Sequence, residues 1–345
     1  MRKISKIAAF CLAVACVTSS ITLGTVFGSA VDADVNTDGG TEDMVKIVDG
    51  KTYQKTADGK IEMVQDQNFH TGINLLGVHP SYDGREVKAR LDYSGEALSA
   101  TDIDPWEMTQ WYSSPSLAEG LTHTTQGDYE YFKGSAGEKL VRVNRYKKEL
   151  YMQLDTRYTL EEKNGSQWPH ILIEKSPTYK PTFGSLNSIN ASLKFSIEDF
   201  QNFNDANGGQ AAQVSWWFFV TDGTNDCWFG LPLFDNRQDI DGLGTYVGDE
   251  LGWEANTLDA TVKVARSRFA PHITQVKVGT MYEVNVDIKE YFQVALDQLK
   301  TKYTNFNANI DNFYITGWNF GWEMPYGTYK AGVCVSDISI LVEEK

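Results

Sequence analysis

Three Trp-rich stretches hold the side chains best suited to chemistry. Residues 168–174 read Trp-Pro-His-Ile-Leu-Ile-Glu. Successive side chains of a strand point to opposite faces, so His170, Leu172 and Glu174 share one face while Ile171 and Ile173 share the other. An imidazole and a carboxylate on one face, with Trp168 at the strand entrance, form an acid/base pair beside an aromatic ring. The alternative is a solvated pair on a convex face. Residues 313–325 divide in the same way. Tyr314, Thr316, Trp318, Phe320 and Trp322 hold one parity; Phe313, Ile315, Gly317, Asn319, Gly321 and Glu323 hold the other. Trp318 and Trp322 are expected to form an exposed stacking platform, since an indole face attracts the C–H groups of a pyranose; the alternative places both rings inside. In the third stretch, Ser215 to Val220 reads as a buried strand with Trp216 or Trp217 in the core, and Trp228 to Arg237 follows a turn at Asp222-Gly223. Asp235 and Arg237 leave the end of that strand, where they pair or reach a ligand.

Two carboxyls roughly 5 to 10 Å apart, one held protonated, cleave a glycosidic bond. Glu174 and Glu323 are the expected pair, because Trp-rich surroundings raise a carboxyl pKa, and Asp235 is the reserve. His170, Asp235 and Arg237 would orient the substrate, and Trp168, Trp228, Trp318, Trp322 and Tyr314 would line its subsites. Asp239 and Asp241 offer oxygen ligands for a structural Ca²⁺, with a solvated loop as the alternative. No cofactor is required. The sequence has no Gly-x-Ser-x-Gly elbow and no Gly-rich phosphate loop, and its five His show no zinc-like spacing. His79 and His123 flank Trp106, Glu107 and Trp111 in a segment that reads as a long structured loop, a lid or a cleft wall.

Composition narrows the class. The 345 residues carry 46 acidic and 31 basic side chains, a net charge of −15 without a basic run, which argues against nucleic acid. The hydrophobic fraction of 41% is enough for a packed core. Nine Trp exceed what a core alone calls for. Residues 1–33 read as a cleaved secretion signal: Arg2, Lys3 and Lys6, an apolar run from Ile7, then small residues before a cut at Ala30 or Ala33. A lipid anchor at Cys16 is the alternative. Residues 34–66 read as an acidic linker and a short hairpin, and 67–345 as the main domain. Asp34, Asn36, Asp38 and Gly39 open like a calcium loop, but Val45 stands where a bidentate acid belongs. Cys227 and Cys334 are expected as buried free thiols. No later segment is long and apolar enough to span a bilayer, and a monomer is expected.

The supporting elements are mostly strands. Ile189, Ala191, Leu193, Phe195 and Ile197 alternate with polar residues, as do Tyr282, Val284, Val286 and Ile288. Leu150, Met152 and Leu154 repeat the pattern, and a last strand runs from about Ala331 to Val342. One helix is expected between Asp287 and Thr304, from the spacing of Tyr291, Phe292, Ala295, Leu296, Leu299 and Tyr303. Strands do not alternate with helices, so the expected fold is an all-β antiparallel jelly-roll sandwich with one amphipathic helix outside.

The alternation, the Trp-rich strands and the closing Val333–Val342 strand resemble the concanavalin A-like jelly rolls of secreted glucanases, polysaccharide lyases and lectins. The resemblance implies carbohydrate as partner, and polysaccharide or oligosaccharide hydrolysis by a glycoside hydrolase as activity. A non-catalytic lectin or carbohydrate-binding module and a surface structural protein are the alternatives. Tyr329, Lys330, Ala331 and Gly332 look like the Tyr-Lys-Ala-Gly strand of jelly-roll alginate lyases, which would make Tyr329 an acid/base; the other two lyase signatures are absent, as is the laminarinase Glu-x-Asp-x-x-Glu strand.

Overall fold

The computed structural model describes residues 44–93, 103–160, 167–205, 210–240, 251–253, 259–302 and 308–345. The expected signal and the Asp34 loop lie outside the described residues, as does Asp241. The first strands are β1 (Val45–Val48), β2 (Lys51–Gln54), β3 (Ile61–Glu62), β4 (Ile73–Leu76), β5 (Val87–Leu91), β6 (Trp106–Thr109) and β7 (Thr122–Gln126). Then come β8 (Tyr129–Lys133), β9 (Lys139–Asn144), β10 (Glu149–Asp155), β11 (His170–Lys175), β12 (Leu186–Asn202), β13 (Gln213–Thr221) and β14 (Asp226–Asp235). The chain continues through α1 (Asn236–Asp239), β15 (Leu251–Trp253), β16 (Asp259–Lys263), α2 (Arg266–Phe269) and β17 (Tyr282–Asp287). It closes with α3 (Ile288–Lys302), β18 (Tyr314–Glu323) and β19 (Tyr329–Glu344).

Two large sheets stack as a β-sandwich of the jelly-roll type. One runs β17-β12-β19-β10-β9-β8-β7 with β3 paired to β19; the other runs β15-β16-β14-β13-β18-β11-β6-β4-β5. Pairing is antiparallel except at β14–β16 and β4–β6. Trp106 to Thr109, expected in a loop, is therefore a strand inside the second sheet, recruited by parallel pairing with a strand far back in the chain. β12 shows how the pattern fixes the fold: Ile189, Ala191, Leu193, Phe195 and Ile197 are all buried. On its partner β19, a bulge between the Ser192 and Lys194 register points, with Asp337 at φ 52°, keeps Val333 and Val335 on the same core face as Ile338 and Ile340. Tyr53 and Ile61 join this core, and Cys227 and Cys334 are buried and form no disulfide with each other.

α3 lies where the heptad-like spacing puts it. Phe292 meets Phe183, Phe229 and Phe313 with ring centroids at 5.7, 5.7 and 5.1 Å, so the helix seals one end of the core. No helix among the described residues is long and apolar enough to cross a membrane.

The second sheet decides the fate of the indoles. On β18 the core parity belongs to Trp318, Phe320 and Trp322, which are 1%, 1% and 0% exposed. The expected stacking platform of Trp318 and Trp322 is thus corrected: both rings fill the interior, and Trp322 packs edge-on against Phe234 at 5.6 Å. On β13 Trp216 takes the core while Trp217 takes the other face. Trp322→Ala is expected to cost about 3–5 kcal/mol, read as a lowered urea midpoint, whereas Trp228→Ala, at a ring 40% exposed, stays within about 1 kcal/mol. Equal costs would contradict this assignment of faces.

Candidate functional site

With Trp318, Phe320 and Trp322 turned inward, Asn319, Gly321 and Glu323 must face outward. The strand registers extend that face into three cross-strand rows. One row reads Glu107, Glu174, Asn319, Trp217 and Gly230 across β6, β11, β18, β13 and β14. The next reads Thr109, Leu172, Gly321, Ser215 and Pro232. The third reads His170, Glu323, Gln213 and Asp235. Gly321 has φ +151°, and a Cβ there would run into the Ile171 carbonyl oxygen. The middle row therefore has a low floor at its centre, flanked by polar rows on both sides.

Glu174 dominates the first row. It is 3% exposed, and one oxygen pairs with the Arg85 guanidinium while Oε2 has no partner. Burial pushes its carboxyl up to about 7; Arg85 pulls against that, and the charge of Glu107 adds to it. Glu107 stands directly opposite on β6, and its Oε2 lies 3.6 Å from the same Arg85 Nη1. Since both carboxylates reach one nitrogen, the two contacting oxygens are within roughly 6 Å of each other. Arg85 comes from the 77–85 loop and lies 5.8 Å over the Trp111 ring, and Tyr112 N–H donates to the Val78 carbonyl at 2.7 Å, which ties the two covering segments together.

The third row carries the other acid. Glu323 Oε1 lies 3.6 Å from His170 Nε2. Burial alone would raise the Glu323 carboxyl, but His170, Lys263 and the Trp217 indole together hold it below the ordinary value. His170 is flanked by Trp168 and Trp111, with ring centroids at 5.8 and 6.0 Å. Asp235 is committed elsewhere: it accepts from Arg237 N–H and Nε at 3.0 Å, from Arg237 Nη2 at 2.6 Å and from Gln213 Nε2 at 3.0 Å, capping α1. Tyr314 pairs with Thr221 at the far end of β18, away from Glu323.

Of the sequence-derived residues, the fold brings Glu174, Glu323, His170, Trp168 and Trp228 to one face. It does not bring Glu174 and Glu323 into direct opposition. Glu174 faces Asn319 and Glu323 faces His170, a stagger of four residues or about 13 Å along the strands. The partner that register supplies to Glu174 is Glu107, which sequence reasoning left in a loop because β6–β11 pairing is non-local. Arg85 and Asn319 were missed too, and neither sits in a motif. Asp239, a calcium candidate, is 2% exposed and accepts from Arg266 at 2.7 and 2.9 Å and from Val276 N–H at 2.9 Å, so its oxygens are engaged within the fold. Tyr329, the acid/base of the lyase alternative, is fully buried, and its hydroxyl accepts from Asn236 Nδ2 at 3.4 Å.

The face also collects buried polar atoms without a partner among the described residues: Thr109 Oγ1, Trp111 Nε1, Trp168 Nε1, His170 Nδ1, Glu174 Oε2, Ser215 Oγ and Asn319 Oδ1. Buried polar groups cost about 1–3 kcal/mol each when unsatisfied. Donors and acceptors interleaved in this way complement a polyhydroxylated ligand.

No protein-family model matches the chain. No curated protein matches it in sequence. Among solved structures, it is similar to a thermostable cellulase derived from Cel12A of Rhodothermus marinus, at 14% identity and a TM-score of 0.37, over 69% of this chain and 100% of that one. It is also similar to a family 12 xyloglucanase from Bacillus licheniformis, at 9% identity and a TM-score of 0.36, over 68% and 100%. A third is endoglucanase 3 of Trichoderma harzianum, at 12% identity and 0.33, over 68% and 97%.

The raised Glu174 pKa sets a pH signature. A folded value of about 7 lies above the ordinary 4.5, so the contribution of the neutral acid to stability is full below about pH 4.5 and is lost as pH rises through about 7. Glu174→Gln keeps that position neutral, so urea midpoints should favour the variant increasingly over this window, by up to about 3 kcal/mol. A variant whose offset from wild type is the same at pH 4 and pH 8 would show that Glu174 is not so perturbed.

Proposed function

We propose that the protein is a secreted glycoside hydrolase acting on a neutral polysaccharide or oligosaccharide, with Glu174 as proton donor and Glu107 as the facing carboxylate. The observation that carries this is a buried carboxyl, titrating near neutrality, with one free oxygen and a second carboxylate on the neighbouring strand. Glu174 Oε1 is held by Arg85, which leaves Oε2 to carry the proton. From Oε2 the proton passes to the glycosidic oxygen as the C–O bond breaks. Glu107 attacks the anomeric carbon and forms a glycosyl ester; Glu174 then takes a proton from water, which releases the sugar and regenerates both groups. The separation of roughly 6 Å or less suits retention of configuration.

The rest of the face supports binding. Asn319 Oδ1, Ser215 Oγ and Thr109 Oγ1 are buried without a partner among the described residues of this face, and Trp168 and Trp111 flank His170. Glu323, whose ordinary partner is His170, is a hydroxyl acceptor in this reading and stands in place of the direct Glu174–Glu323 pair.

Reducing-end release from a panel of neutral polysaccharides tests it. Glu174→Gln and Glu107→Gln should each lower kcat by about 10²–10⁴ while oligosaccharide affinity in calorimetry persists. Glu323→Gln should act mainly on KM. The first-formed product, followed by NMR, should keep its anomeric configuration. Normal turnover in both Gln variants would remove the catalytic assignment, and binding by the wild type without turnover would make the chain a glycan-binding protein.

A further inference from the structure

The row that begins at Glu107 does not end at Trp217. It crosses β14 at Gly230 and reaches Lys263 on β16. Gly230 has no room for a side chain because the six-membered ring of Trp217 occupies that space. Lys263 Nζ sits over this ring, 5.1 Å from its centroid. Glu323 feels the charge of Lys263, yet among the described residues no carboxylate is within ion-pair distance of it and it has no further partner. A ring beneath an ammonium leaves its three N–H donors unused.

Trp228 stands beside this cation. It is 40% exposed, with Phe219 edge-on at 4.9 Å and Trp217 edge-on at 6.2 Å, so its position is fixed while part of the ring stays open. Asn319, 1% exposed, stands across from Trp217 with Oδ1 unpartnered. An open indole and an ammonium without a carboxylate thus share one end of the face, and a buried free acceptor lies between them and Glu174. A neutral sugar would use the ring and the acceptor but give the ammonium only a weak hydroxyl contact.

We infer that this end is a subsite for a pyranose bearing an anionic substituent, a uronate carboxylate or a sulfate ester. Trp228 packs on the sugar face and Lys263 Nζ donates to the anion, while Asn319 Oδ1, one strand from Glu174, accepts from a hydroxyl of a ring nearer the cleaved bond. The inference rests on the proposed glycan groove. The Lys263 backbone lies four strands from Glu174, about 19 Å across the sheet, and its Nζ reaches back over the Trp217 ring, so the charged ring binds away from the bond that breaks. The net charge of −15 opposes anions at long range, but at physiological salt that field is screened beyond about 8 Å, and Lys263 acts at contact.

Three probes test this by calorimetry on full-length protein carrying Glu174→Gln to prevent cleavage: a neutral β-linked hexasaccharide, the same backbone with one glucuronyl branch, and the same backbone with one sulfate ester. At physiological salt at least one anionic probe should bind about five- to tenfold tighter than the neutral one. Lys263→Met should remove that advantage while changing neutral affinity by less than about twofold, and 0.5 M salt should shrink it. Which anion gains names the source. Trp228→Ala should weaken all probes that bind. Equal affinity for neutral and anionic probes, unaltered by Lys263→Met, overturns the anionic subsite and leaves the groove standing. Failure of every probe to bind removes both.

Discussion

The pleat of β18 is the constraint on which everything else depends. A strand can bury only one parity, and the indoles of Trp318 and Trp322 with the ring of Phe320 carry far more apolar area than Asn319, Gly321 and Glu323. Once those rings seal the core, the polar parity is forced outward across a sheet whose neighbours follow the same rule. Ile171 and Ile173 go in, so His170 and Glu174 go out; Trp216 and Phe218 go in, so Trp217 goes out. A one-residue slip of β18 would bury the Glu323 carboxylate and expose two indoles.

Electrostatics then separates the acids. Glu174 lies deep, under the 77–85 loop, so desolvation favours its neutral form despite Arg85. Glu323 is also enclosed but faces His170, which favours the charged form. Two carboxyls on one face thus titrate apart, and the groups around each one, not the residue type, decide the direction. Unpaired buried polar atoms alone do not mark a ligand site: the core indoles of Trp216, Trp318 and Trp322 also lack acceptors. What distinguishes the outer face is that donors, acceptors and carboxylates converge there across neighbouring strands.

Much of the architecture was legible in the sequence, because period-two alternation over β12, β17 and β19 and the apolar spacing of α3 are local signals. The outward position of Glu174 was legible for the same reason. The indole platform was misread because aromatic richness was taken for surface function, although the polar parity of β18 already carried Asn319 and Glu323. Glu107 could not be found locally: its role comes from β6 being inserted between β4 and β11, a pairing of segments distant in the chain. Arg85 acts from a loop, where no periodicity points to it.

The central claim is that a glycan lies along the outer face of the nine-stranded sheet while the core indoles stay out of reach. The side-chain indole N–H signals of the nine Trp report on this directly in an NMR titration with a neutral oligosaccharide. The account predicts shifts at Trp111, Trp168, Trp217 and Trp228 and constant signals at Trp216, Trp318 and Trp322. Unmoved signals from the four outer indoles at saturating sugar, or equal shifts from the three core ones, would contradict it.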